Sequence, residues 1–148
     1  MESETVLQIR RSLPASPEKV FHAWTQKEQF SQWFAPTKEF KTIIHHLDVR
    51  PGGQYRVEMQ APDGKNHIVQ GTYREVIPAQ KLVFSWRWET EPQHGETEIT
   101  LEFIPAEKGT ELSLTHRLFP NANARDEHNK GWTGCLNRLE EFVDSSAG

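Results

Sequence analysis

Between residues 37 and 119, apolar and polar residues alternate in six runs set apart by turn residues, and one apolar-striped segment then runs from about Asn123 to Asp144. A period of two is the mark of a strand with one covered face, whereas steps of three and four mark one face of a helix. A sheet this long, followed by a single long helix, has to bury its apolar face by curving over that helix. The space between the two then decides what the chain can do.

The turn residues support an antiparallel meander. Pro51-Gly52-Gly53, Pro62-Asp63-Gly64, Pro78-Ala79, Pro92-Gln93-His94-Gly95 and the stretch from Pro105 to Gly109 are short enough for hairpin connections. They predict strands near 37–49, 53–61, 66–77, 81–89, 96–104 and 110–119. Ahead of them, Val6 to Leu13 reads as a further strand that pairs with the sheet. Ser16 before Pro17 reads as a helix cap with proline at the first helical position, placing Val20, Phe21 and Trp24 on one side of a short helix. Thr25 and Glu28 read as a capping box opening a second short helix, which buries Phe30, Trp33 and Phe34 and stops at Pro36. No internal repeat, linker or low-complexity tract interrupts residues 1–148, so the expectation is a single domain.

Alternation assigns the inward faces. Tyr55, Val57 and Met59 share one, Leu82, Phe84, Trp86 and Trp88 another, Ile99, Leu101 and Phe103 a third, and Leu112, Leu114, His116 and Leu118 a fourth. Arg56, Glu58, Arg87, Glu98, Glu102 and Glu111 fall on the outer face, which should be wet. In the last helix, with Asn123 as its expected cap, His128, Trp132, Cys135, Leu136, Leu139, Phe142 and Val143 form the stripe that faces the sheet. Gly131 and Gly134 flank Trp132 where each costs about 1 kcal/mol relative to alanine. Glycine there points to close backbone approach or to reserved space.

Composition narrows the partners. A formal charge of -4 supplies no basic surface for a nucleic acid. The single Cys135 excludes an internal disulfide. The first twelve residues lack the apolar stretch of a signal peptide, and no run is long enough to span a bilayer, so a cytoplasmic location is expected.

Several motifs carry a family resemblance. Trp33-Phe34-Ala35-Pro36, the segment from Val49 to Arg56 (VRPGGQYR), the segment from Gly71 to Pro78 (GTYREVIP), the segment from Lys81 to Trp86 (KLVFSW), and Gly131-Trp132 followed by Leu136 and Leu139 resemble the activator of heat-shock protein 90 ATPase homologue family. That family sits in the START-like (SRPBCC) superfamily, and the match runs in order through nearly the whole chain. The resemblance implies an α+β helix-grip fold of the START-like, Bet v-like kind. Its curved antiparallel sheet of about seven strands wraps a long C-terminal helix, with two short helices after the first strand and a cavity between sheet and helix. The resemblance also implies a link to stress response and a chaperone as a partner. The family's eukaryotic co-chaperone carries a separate N-terminal domain that engages the chaperone, and a first strand starting by about Thr5 leaves no room for one here. Direct chaperone activation is therefore not the leading expectation.

Catalytic motifs are missing from the sequence: no HExxH, paired CxxC, P-loop or GxSxG is present. His45 and His46, adjacent on a strand, should point to opposite faces and so not share a metal. No metal, cofactor or catalytic residue is assigned. His116 follows Leu112 and Leu114 inward and reads either as a satisfied core histidine or as a group that orients a ligand or moves a proton. Cys135 on an apolar helix face reads as a small buried hydrophobe. The aromatic residues read as core, with a subset lining a pocket. The candidate ligand-binding residues are Trp132, Trp86 and Tyr55 first, then His116, Trp33, Met59, Phe84, Trp88 and Leu136. The expected function is non-enzymatic binding of a small hydrophobic or aromatic molecule by a monomer or weak dimer. The alternatives are a chaperone ATPase activator-like interaction module and a cyclase- or hydrolase-type enzyme using His116.

Overall fold

The computed structural model describes residues 6–90 and 95–145. In chain order the elements are β1 (Leu7–Leu13), α1 (Pro17–Thr25), α2 (Lys27–Trp33), β2 (Lys41–Leu47), β3 (Gln54–Gln60), β4 (Asn66–Ile77), β5 (Lys81–Trp88), β6 (Glu96–Ala106), β7 (Gly109–Arg117) and α3 (Ala122–Ser145). The strands form one seven-stranded sheet in the order β1-β7-β6-β5-β4-β3-β2, with every neighbouring pair antiparallel. From β2 to β7 it is the expected meander. β1 closes the far edge against β7, and α1 with α2 carries the chain across to the opposite edge.

The sheet bends because two of its strands are bulged. Register shifts occur between Ile44 and His46 in β2 and between Tyr73 and Glu75 in β4. An extra residue at a bulge kinks and twists its strand, and here it helps curve the sheet around α3. The first bulge also corrects an expectation. Alternation fails at His45, so both His45 and His46 are exposed instead of pointing to opposite faces.

Local signals at the helix ends held in one case and failed in two. Ser16 accepts from the Lys19 amide at 3.2 Å, as its position before Pro17 implies. Thr25 is not a cap: it is still helical, and its hydroxyl donates to the Phe21 carbonyl at 2.9 Å, the common back-bond of a threonine inside a helix. Gln26 instead serves as the last cap of α1 and the first of α2, with no side-chain cap bond for α2. Similarly, α3 opens at Asn121, whose Oδ1 accepts from the Ala124 amide at 2.8 Å, rather than at Asn123. β2 begins at Lys41 rather than 37, because the loop after α2 folds against α3 first. The expected turn at Pro92-Gln93-His94 lies outside the described residues.

One inward residue was misplaced. Leu118 has φ of 75° and is 56% exposed, since the β7 alternation ends at Arg117 and the backbone turns over at the next residue. Phe119 takes the buried position, with its ring 4.2 Å from that of His116.

The core is uneven along α3. Leu136, Leu139 and Val143 in its C-terminal half are fully buried, as are Ile99, Leu101 and Leu114 of the sheet. β1 adds a polar clamp on that half, where the Arg11 guanidinium donates to Asn137 Oδ1 at 2.8 Å and Glu140 Oε1 at 3.2 Å. The N-terminal half, from Glu127 to Cys135, borders open space instead. On the outer face, Arg56 makes a two-pronged bond to Glu89, and Arg74 and Arg117 converge on Glu98. Glu58, expected to be wet, is largely covered and pairs with His45 at 2.8 Å.

Candidate functional site: an aromatic cavity under the last helix

A cavity of about 310 Å³ lies where α3 leaves the sheet. Its wall comes from four places. The end of α2 and the following loop give Phe34, Pro36 and Phe40; the β3–β4 hairpin gives Met59 and His67; β5 gives Trp86 and Trp88; α3 gives Glu127, His128, Gly131, Trp132 and Cys135.

The two glycines explain how the space arises. A Cβ on Gly131 would meet nothing within 4 Å, so this position is room kept free at the wall. A Cβ on Gly134 would collide with the Pro36 carbonyl, so this position is a point of close backbone approach. Arg138 reinforces that contact by donating to the Gln32 and Thr37 carbonyls at 2.9 and 3.3 Å. The α2 loop is thus held on the helix about one turn beyond Gly131.

Two tryptophan-to-histidine hydrogen bonds join helix to sheet around the cavity. Trp132 Nε1 donates to His116 Nδ1 at 3.1 Å. Because Nδ1 accepts, the proton of the neutral ring is on Nε2, which lies 2.6 Å from Thr97 Oγ1; that hydroxyl passes its own hydrogen to the Trp86 carbonyl at 3.0 Å. In the second bond Trp88 Nε1 donates to His128 Nε2 at 2.9 Å, so His128 is protonated on Nδ1 and donates to the Ala124 carbonyl at 2.7 Å. Burial first, and then the neighbouring His128, hold the His116 imidazole well below the ordinary histidine range. With Nδ1 accepting and Nε2 donating, His116 has no ring nitrogen left to take a proton from a substrate.

The candidate residues fall into three groups. Trp132, Trp86, Met59 and Trp88 come together on the cavity wall. Tyr55 and Phe84 instead border a second void of about 10 Å³ with Trp24, Phe34, Tyr73 and Trp86. There the Tyr55 hydroxyl donates to the Ser85 carbonyl at 2.6 Å, and burial, then Tyr73, raises its pKa well above the usual tyrosine value. His116, Trp33 and Leu136 stand behind the wall: Trp33 donates to the Ala23 carbonyl at 2.9 Å, and Leu136 is fully buried. Cys135 lines the cavity with its thiol pushed up to about 12 by burial, which keeps it protonated and unreactive.

Three lining residues had not been assigned any role: Phe40, His67 and Glu127. Two of them left a trace in the sequence. Glu127 lies one helical turn before Gly131 on the same face. His67 pairs with Met59 across β3 and β4, a register that the Pro62-Asp63-Gly64 turn sets. Phe40 left none, because the loop carrying it is shaped by its contact with α3.

Aromatic rings dominate the wall. Trp86 sits 5.1 Å from Trp132 and 5.3 Å from Trp88 between ring centroids, and Phe34 is 6.0 Å from both Trp86 and Trp132. Tilted and edge-to-face pairs at these distances each add about 0.5–1.5 kcal/mol beyond their area burial. They stiffen the wall. Among the described residues no group of His, Cys, Asp and Glu is placed to hold a metal ion.

Comparison with known proteins supports the same architecture. A solved structure from Chromobacterium violaceum, 26% identical, superimposes with a TM-score of 0.87 over 94% of this chain and 96% of that one. One from Rhodobacter sphaeroides, 25% identical, gives 0.83 over 98% and 96%. The AHSA1 protein from Silicibacter pomeroyi shares the fold at 23% identity, with a TM-score of 0.84 over 95% and 99%. The human Activator of 90 kDa heat shock protein ATPase homolog 1 is 25% identical over 124 residues, which are 84% of this chain and 32% of that protein. The chain therefore spans about a third of the length of the curated relatives it matches. Residues 14–144 match the pattern of the family described as Activator of Hsp90 ATPase homolog 1-like protein, and the chain belongs to that family.

Proposed function

We propose that residues 1–148 act as one START-like binding unit, holding a small hydrophobic or aromatic molecule in the cavity under α3 without transforming it. The observation that carries this reading is the cavity of about 310 Å³ with Phe34, Phe40, Met59, Trp86, Trp88 and Trp132 on its wall. Ligand sites are concave and mainly apolar, with few polar groups to fix orientation, and their volumes begin at roughly 300 Å³. The tautomer of His116 fits binding better than proton transfer. A monomer or weak dimer in the cytoplasm completes the reading; no helix among the described residues is long and apolar enough to cross a membrane.

The test is a screen of lipids and aromatic metabolites followed by tryptophan fluorescence and amide chemical shifts. Binders should perturb Trp86, Trp88 and Trp132 together. A screen in which no compound moves these signals overturns the reading.

Family membership favours a second reading, a protein-interaction module that stimulates a chaperone ATPase. A pull-down with the cognate chaperone, paired with an ATPase assay, decides it. Neither capture nor stimulation would remove the idea.

A further inference from the structure

The polar groups on the cavity wall are unequal in charge. Glu127 is its one carboxylate, and no lysine or arginine is part of the wall. Glu127 is exposed, which places it at the mouth, and it makes no ion pair among the described residues. The remaining titratable groups are Cys135, kept as the thiol by burial, and the imidazoles of His67 and His128. His128 is neutral in this geometry, since its Nε2 accepts the Trp88 N–H while Nδ1 donates to Ala124. His67 packs its ring 6.4 Å from those of Phe40 and Trp88. Lys130, next to Gly131 on α3, is exposed and not part of the wall.

The same cavity is lined by the rings of Trp86, Trp88, Trp132, Phe34 and Phe40. Aromatic faces attract cations through their quadrupole, most strongly for tryptophan, and repel anions by the same field. Gly131 lies one turn from Glu127 on α3, and the space left by its missing side chain gives a ligand in the cavity a path to that carboxylate. An anionic head group would meet π-faces and a carboxylate with no lysine or arginine to receive it.

We propose that the cavity selects an aromatic amine in its ammonium form, with the ring among Trp86, Trp88 and Trp132 and the nitrogen directed to Glu127. This rests on the reading of the cavity as a ligand site and names the class of ligand it takes. Both contributions are electrostatic and the carboxylate is solvated, so the preference weakens with added salt.

Three probes of matched shape test it: naphthylmethylamine, naphthalenemethanol and naphthoate, titrated by calorimetry near neutral pH, where the first is a cation and the last an anion. The amine should bind about tenfold tighter than the alcohol, and naphthoate weaker than both. Glu127→Gln should reduce the amine's advantage several-fold, changing the amine's Kd far more than the alcohol's. Naphthoate binding as well as the amine, or an advantage untouched by Glu127→Gln, overturns the ligand class while sparing the cavity as a binding site. Failure of all three probes to bind overturns both.

Discussion

The indole N–H of Trp132 points at Nδ1 of His116, 3.1 Å away, in a part of the core where His116 has no solvent exposure. The bond links α3 to β7 beside the cavity, and it decides which nitrogen of the imidazole carries the proton. Trp132→Phe should therefore cost more than the size change. It keeps an aromatic ring but leaves a buried acceptor unpaired, a loss of about 1–3 kcal/mol that chemical denaturation would measure. A variant as stable as the parent would show the bond to be dispensable.

The same histidine sets an acid limit on stability. Its folded-state pKa lies well below 6.5, so above that value both folded and unfolded forms are neutral and it contributes no slope. Below it the unfolded chain binds a proton that the folded core refuses, and stability falls as pH drops from about 6.5 toward the depressed folded value. The slope from one such group approaches about 1.4 kcal/mol per pH unit. His116→Gln should flatten the denaturation midpoints in this window. Glu58 and Glu89, both lowered by their hydrogen-bond partners, lose their contribution as pH falls below their ordinary value of 4.5, so the upper part of the His116 window lies above theirs.

The glycines of α3 should respond to alanine with opposite signs. Gly131→Ala adds a methyl into open space and removes the entropic cost of glycine, a gain of about 1 kcal/mol. Gly134→Ala drives a Cβ into the Pro36 backbone and should destabilise despite the better helix propensity. Thermal melts of the two variants check this; equal signs would mean that the α2 loop moves freely over the helix.

Filling the same space should separate binding from folding. Gly131→Leu places a side chain where the cavity opens, so the protein should keep its thermal midpoint within a few degrees while every cavity ligand loses affinity by roughly tenfold or more. Ligand titration of a variant with a native-like spectrum is the measurement.

Cys135 should be nearly inert. A thiol with its pKa pushed up to about 12 holds almost no thiolate near neutral pH, and only the thiolate attacks alkylating agents. Mass spectrometry after iodoacetamide treatment should show slow modification in the folded protein and rapid modification in denaturant.

Much of this molecule was legible one residue at a time. The meander, β1 beside it and the apolar stripe of α3 follow from period two, period 3.6 and proline-glycine punctuation, which are local consequences of side-chain direction. Ser16 with Pro17 was legible for the same reason. Thr25, Asn123 and Leu118 were misread because their surroundings compete: a helix that continues through Thr25, a better-placed Asn121, and a backbone that turns over after Arg117.

The sequence by itself determined that a curved sheet must enclose α3, and most of the residues that point inward, Leu118 being an exception. Only the tertiary structure decided where that enclosure stays open. Leu136, Leu139 and Val143 close it, while Gly131, Trp132 and Cys135 do not, although all lie on one stripe. The difference comes from Pro36 pressed on Gly134 and from two tryptophan-histidine bonds that prop the helix against the sheet. Such contacts join residues from 16 to nearly a hundred positions apart in different elements, and periodicity carries no information about distance through space.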